Sequence, residues 1–209
     1  MGETVTQNST DAVRLDASRR PDPNRKSELG QFMTPAAIAT FMASLFSATS
    51  RTIHLLDAGA GVGSLTSAFL DRFQSSTASI EAWEIDPTLK MVLADTLASH
   101  ARAGLASTIH NSDFIEDAVW NISMGGGRRF THAILNPPYR KIKSDSKHRY
   151  LLRDVGIETV NLYTAFLALA ILLMEEKGEI VTIVPRSFCN GAYYRPFREQ
   201  LLRSCAIEH

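Results

Sequence analysis

The segment ILNPPYRK, residues 134–141, runs from a short apolar stretch through two prolines and an aromatic into two cations. Its centre, Asn136-Pro137-Pro138-Tyr139, combines residue types suited to a weakly nucleophilic amine. Proline has no N–H to give a sheet and fixes its own φ, so Pro137 and Pro138 end strand pairing in a stiff corner. Such a corner presents the Asn136 amide oxygen and the Pro137 carbonyl as acceptors. An amino group conjugated to a ring or carbonyl attacks poorly because its lone pair is delocalised. Two acceptors that hold its hydrogens favour a pyramidal nitrogen whose lone pair points at an electrophile. This is positioning and electrostatic stabilisation, since Asn takes no proton near neutral pH. Tyr139 adds a face for a planar substrate, and stacking of a base on such a ring is worth ~1–3 kcal/mol.

The electrophile's site is suggested by DAGAGVG, residues 57–63. Gly59, Gly61 and Gly63, spaced G-x-G-x-G, let the backbone turn tightly and approach a ligand without a Cβ in the way. The dinucleotide fingerprint needs a third glycine where Ser64 stands, which disfavours NAD, and no lysine follows to make a phosphate-binding Walker loop. A G-x-G loop preceded by an acid suits S-adenosyl-L-methionine, which has no pyrophosphate and whose amino group and sulfonium are cationic beside Asp57. Glu84 ends the next strand, where its two oxygens can accept both ribose hydroxyls, and Asp113 ends the one after, within reach of an adenine amino group. Three acids at three successive strand ends form a row along one ligand.

The elements that hold these residues alternate. Strands are predicted at residues 52–58, 78–86, 107–114, 131–136 and 179–185. Helices are predicted at 63–73, at 87–103 with Pro87 first, and at 161–177, ending at Gly178. A further helix opens the ordered part, with Thr34 as N-cap, Pro35 at the first helical position, and Ile38, Phe41, Met42, Leu45 and Phe46 on one face. A Gly-rich loop is expected at Gly125–Gly127. Alternation of this kind implies an α/β, Rossmann-like, doubly wound and mostly parallel sheet, with ligands at the strands' carboxyl ends. The stretch 193–209 reads as a helix leading into a strand that stops at His209, as in a piece of a longer chain.

At 209 residues and 44% hydrophobic, the chain can bury one sizeable core. Residues 1–28, polar and broken by Pro21 and Pro23, read as a flexible leader, and 29–209 as a catalytic domain. Lys plus Arg and Asp plus Glu balance at 22 each, so any basic surface for nucleic acid is local. No run is long and apolar enough for a spanning helix and no signal peptide is evident, so a cytoplasmic protein without a membrane partner is expected. Cys189 and Cys205 fit no zinc or disulfide pattern and are expected as buried or half-buried thiols; no metal site is expected.

Taken with the motif order, QFMTP, DAGAGVGSL, WEID, NSDF, NPPY and then VNLYTAFLALAILLMEEKGEIVTIVP, the chain from about Leu29 to Arg203 resembles the gamma-class N6-adenine DNA methyltransferases of type II restriction-modification systems. The resemblance implies a class I S-adenosyl-L-methionine-dependent fold and methyl transfer to the N6 amino group of a flipped-out adenine. It implies Thr34 at the donor's methionine carboxylate and Asp57 at its amino end. Glu84 would lie on the ribose, Ile85 and Phe166 as apolar walls, Asp113 on the adenine amino group, and the Phe114 backbone on the adenine ring nitrogen. It implies double-stranded DNA as partner, with a target-recognition domain after residue 209, and a restriction endonuclease acting on the same site. DNA chemistry demands that the base leave the duplex, with NPPY as its pocket. The basic stretch just beyond, with Arg140, Lys141, Lys143, Lys147 and Arg149, and Arg186 further on, is expected to meet phosphates. Two alternatives use the same acceptors, methylation of a release-factor glutamine and methylation of an RNA base. A non-catalytic donor- or DNA-binding module is a third.

Overall fold

The computed structural model describes residues 34–49, 51–126 and 130–208. The predicted leader, the first residues of QFMTP, Gly127 and His209 lie outside these. In chain order the elements are α1 (Ala36–Ser44), β1 (Ile53–Ala58), α2 (Ser64–Arg72), β2 (Ala78–Trp83), α3 (Pro87–Ser99), β3 (Leu105–His110) and α4 (Phe114–Ser123). They continue with β4 (Phe130–Leu135), α5 (Lys147–Asp154), α6 (Leu162–Leu173), β5 (Met174–Thr182) and α7 (Arg195–Ser204). The five strands form one sheet in the order β3-β2-β1-β4-β5, and every pairing in it is parallel.

β1 reads IHLLDA because it sits mid-sheet with helices on both faces. Ile53 and Leu55 pack with Ala39, Met42, Phe69 and Leu93 of α1, α2 and α3, and with Phe46 just after α1. Leu56 and Ala58 turn the other way, toward Phe114, Ile115, Leu152, Phe166 and Leu169 of α4, α5 and α6. Period-two alternation therefore divides one apolar strand between two cores. The strand order reverses direction between β1 and β4, so the loops leaving these neighbours open a crevice between them. Those loops carry DAGAGVG and NPPY.

Several elements depart from expectation. In α1 the buried face is Ala39, Met42 and Ala43, with Phe46 buried just past its end, while Ile38 and Phe41 are exposed. Small alanines let this helix lie close on the sheet. Pro35 is the cap and its carbonyl accepts from Ala39 N, so Thr34 does not cap the helix; its hydroxyl goes elsewhere. The helices α4 and α5 are not among the expected elements. α4 is capped by Asp113 and buries Phe114, Ile115, Ala118 and Val119, a helical spacing within a stretch that reads as a strand end and a loop. The long apolar helix stops at Leu173, four residues before Lys177, and β5 begins at once with a register shift opposite Phe130 and His132. Residues 205–208 form no strand after α7. Cys205 is half-buried, but Cys189 is exposed, contrary to expectation.

Candidate active site

A cavity of about 270 Å³ opens at the carboxyl edge of the sheet. Its floor is the loop after β1, Gly59 to Val62; one side is Glu84 and Ile85 after β2, and the far end is Ser112, Asp113 and Phe114 after β3. Asn136, Pro138 and Arg140 close it from the β4 side, Phe166 and Leu162 from α6, Thr34 from before α1 and His148 from α5. Residues far apart in sequence meet because each lies where a parallel strand stops.

The glycines have different duties. Gly59, at φ +77°, faces the cavity, where a Cβ would stand 3.7 Å from Phe166 Cε1 and 3.8 Å from Pro138 Cδ. Gly63, at φ +83°, does not line the cavity. It caps α2 and packs on α3, where a Cβ would come within 2.7 Å of Leu93 Cδ1. The loop between them is fixed from β2: Gly59 N and Ala60 N both donate to the Trp83 carbonyl, each at 2.9 Å.

The three expected acids also divide. Glu84, buried, accepts from Gly61 N at 2.8 Å and from Asp86 N at 2.7 Å, so one carboxylate ties the glycine loop to the turn before α3 while bordering the cavity. Asp113 caps α4 and also borders the cavity. Asp57 corrects the expectation of a direct donor contact, for it lies wholly buried behind the loop, outside the cavity lining. Its Oδ2 accepts from Thr66 Oγ1 at 2.5 Å, and Oδ1 has no hydrogen-bond partner among the described residues. Burial pushes its pKa up to about 7, against the Thr66 hydrogen bond and with the help of Glu84's charge.

At the NPPY corner, Asn136 lines the cavity and its amide is held at both ends. Nδ2 donates to Thr34 Oγ1 at 3.0 Å, and the Tyr139 hydroxyl donates to Oδ1 at 2.6 Å. The Tyr139 oxygen is also 3.2 Å from the Ile183 carbonyl after β5. Tyr139 is half-buried, edge-on to Tyr163 with centroids 6.2 Å apart, and neither it nor the buried Pro137 lines the cavity. The stacking face expected of Tyr139 is therefore turned away from the pocket here. Past the corner, Ile142 N donates to the Val160 carbonyl and Leu162 N to the Arg140 carbonyl, each at 2.8 Å, which pinches off residues 141–160 as an insertion bearing α5.

The basic residues separate by environment. Arg140, Lys141, Lys143 and Arg186 are exposed, and Lys147 is exposed but paired with Glu116 at 2.6 Å. Arg149 corrects the expectation of a phosphate contact: it is buried and hydrogen-bonds Glu158. His148 is the pocket residue that sequence reasoning missed. It lies 35 positions from its partner Asp113, and no local spacing announces that pairing.

Residues 35–209 match the Eco57I restriction-modification methylase family. The chain belongs to that family. Type II methyltransferase M.BsuBI of Bacillus subtilis is 52% identical over 209 residues, covering 93% of this chain and 42% of that protein. Type II methyltransferase M.PstI of Providencia stuartii is 40% identical over 207 residues, covering 94% of this chain and 41% of its own length. The chain thus spans about two-fifths of these curated relatives. Among solved structures, the type I restriction-modification methyltransferase subunit from Streptococcus thermophilus superposes with TM-score 0.65 at 19% identity, over 82% of this chain and 38% of that one. The fold is that of class I S-adenosyl-L-methionine-dependent methyltransferases.

S-adenosyl-L-methionine is the cofactor, and the residues present fit it. Glu84 and Asp113 offer carboxylate acceptors, with Ile85, Phe114 and Phe166 as apolar walls for a purine. Gly59 leaves a space that a side chain would fill. Thr34 accepts from Asn136, so its own hydroxyl hydrogen is the donor that a carboxylate would take.

Proposed function

We propose that this chain is the catalytic part of a site-specific DNA methyltransferase that methylates the exocyclic N6 amino group of an adenine swung out of the duplex, protecting DNA in a restriction-modification system. The observation that carries this reading is the clamped Asn136 amide on the wall of the cavity that the glycine loop floors. S-adenosyl-L-methionine, when bound, supplies an electrophilic methyl group on a sulfonium. Thr34 and Tyr139 hold the two ends of the Asn136 amide, with Oδ1 on the Tyr139 side. Oδ1, with two lone pairs, gives up the Tyr139 hydroxyl as the base enters and receives one target amine hydrogen; the Pro137 carbonyl receives the second. Held this way, the amine nitrogen presents its lone pair to the methyl carbon; the C–N bond would form as the sulfur–methyl bond breaks and leaves a thioether, and the amine proton would then pass to solvent.

On this reading Tyr139 swings toward the cavity to stack on the incoming base, exchanging its hydroxyl's hydrogen bond to Asn136 for that contact. Arg140, Lys141, Lys143 and Arg186 lie on the exposed surface around the corner and meet phosphates, while a restriction endonuclease of the same specificity is the functional partner. The test is transfer of labelled methyl from S-adenosyl-L-methionine to duplex DNA, RNA and release factor, followed by digestion to nucleosides. N6-methyladenine from DNA is expected. N4-methylcytosine, or label confined to RNA or protein, overturns the assignment.

A further inference from the structure

Asp113 uses Oδ1 at the N-terminus of α4, accepting from Ile115 N at 2.9 Å and Glu116 N at 3.1 Å. Its Oδ2 lies 2.9 Å from His148 Nε2, and both side chains line the cavity. His148 belongs to α5, in the insertion after NPPY, and the neighbouring ion pair, Lys147 with Glu116, ties the same two helices again. Polar contacts to α4 thus hold α5 at the end of the cavity expected to take the purine.

We infer that His148 is a positioning residue for the methyl donor, orienting the Asp113 carboxylate toward the adenine amino group and latching α5 over that end of the pocket, so that donor affinity follows its protonation. The inference rests on the cavity being the donor pocket with its adenine end at Asp113. A carboxylate has about four lone-pair sites, so Asp113 can keep the two amides and His148 and still accept from an amino group. The Asp113 carboxylate makes the bond charge-assisted with either form of the imidazole, and the imidazolium adds the attraction of opposite charges, so it is the better latch.

The charged groups acting on His148 are Asp113 and Glu116 from α4 and Lys147 beside it on α5; Arg140 lines the same cavity. The Asp113 hydrogen bond raises its pKa above the ordinary histidine value; burial and Lys147 oppose, and the charges of Asp113 and Glu116 add. Burial disfavours the Asp113 anion, yet the hydrogen bond and charge of His148 and the two amides hold its pKa below the usual range. The charged pair therefore exists below the raised histidine pKa and is lost as pH rises through it. By reciprocity, donor binding must raise that pKa further.

The test uses S-adenosylhomocysteine, which carries the adenosine without a transferable methyl, titrated calorimetrically into the full-length protein from pH 6 to 9. Wild-type Kd should rise about fivefold across the histidine titration, as the ion pair becomes a bond from a neutral imidazole to the same carboxylate. His148→Gln should bind about fivefold more weakly at the acid end, with a flat profile. Glu84→Gln should weaken binding at every pH and keep the profile. If the wild type fails to bind, or Glu84→Gln binds as the wild type does, the donor-pocket reading falls and takes this inference with it. If Glu84→Gln is impaired but His148→Gln matches wild type in affinity and profile, only the role of His148 is refuted. Should His148→Gln not fold, NMR titration of wild-type His148 decides: a pKa raised by S-adenosylhomocysteine supports the latch, and an unchanged one overturns it.

Discussion

Alanine at Gly59 and alanine at Gly63 should damage different properties, although the two glycines stand in one loop at φ +77° and +83°. At Gly63 the new Cβ would lie 2.7 Å from Leu93 Cδ1 and 3.2 Å from Thr96 Cγ2, closer than packed carbons tolerate. The left-handed backbone costs ~1–2 kcal/mol for an L side chain and overpacking a further ~1–3, together roughly 2–5 kcal/mol. At ~2–4 °C per kcal/mol for a domain of this size, Tm should fall by about 10 °C. At Gly59 the Cβ would make only ordinary contacts, 3.7 Å and 3.8 Å, so the backbone cost stands alone. There, however, the methyl fills space on the cavity floor, and a loss of ~1.4 kcal/mol in binding is tenfold in Kd. Scanning calorimetry and S-adenosylhomocysteine titration on both variants give the answer. We expect Gly63→Ala to melt early and bind nearly normally where folded, and Gly59→Ala to melt within a few degrees of wild type and bind at least about tenfold more weakly. A Gly63→Ala protein with wild-type Tm, or a Gly59→Ala protein with wild-type affinity, would refute the division of labour.

Asn136→Ala should leave donor affinity roughly unchanged while abolishing methyl transfer, as measured by tritiated methyl incorporation; an active variant contradicts the acceptor role. Asp57, whose pKa burial raises to about 7, stabilises the fold fully below its unfolded pKa, and that contribution disappears as pH rises through about 7. The wild-type minus Asp57→Asn difference in Tm should therefore shrink in favour of the variant between pH 4 and 8, and a difference independent of pH would count against the buried acid. Removing Lys143 and Arg186 should reduce the slope of log K against log salt for DNA by ~0.9 for each phosphate no longer neutralised, whereas Arg149→Met should leave the slope alone. Glu158→Ala strands the buried Arg149 guanidinium, whose Nε and Nη1 already lack partners among the described residues, so it should lower Tm more than Arg149→Met, which removes the charge; the opposite order would show the ion pair to be dispensable.

What is legible in the sequence is what local rules write. β1, β2 and β4 are runs of β-branched and apolar residues bounded by glycine or proline, and the alternation with helices compels parallel pairing. What is illegible depends on which face meets what. Ile38 and Phe41 share a helical face with Met42 in a wheel drawn from hydrophobicity, but close approach to the sheet is won by Ala39 and Ala43. α4 escapes because its cap, Asp113, reads first as a ligand contact at a strand end. Ile115, Ala118, Val119 and Ile122 carry the helical period that the strand assignment ends just before. Arg149 looks like one more cation in a basic run, and only the fold buries it.

The same distinction explains the site. Gly59, Glu84, Asp113 and Asn136 can be found because a parallel sheet delivers strand ends to one edge, so order in sequence becomes proximity in space. Asp57 follows the same rule but sits one residue too early, inside β1, where its side chain points into the core between Thr66 and the loop. Tyr139 can be located but not oriented, because its ring could turn either toward a substrate or toward the Ile183 carbonyl, and that carbonyl lies 44 positions away. His148 lies beyond any strand-end rule, since it arrives on a helix in an insertion. Its contact with Asp113 exists because Arg140 and Leu162 pinch that insertion at its base and set α5 against α4. Strand order thus determines where the cavity lies. The inserted helix supplies a further group at one end of it, placed there by packing on α4 and not by the order of the strands.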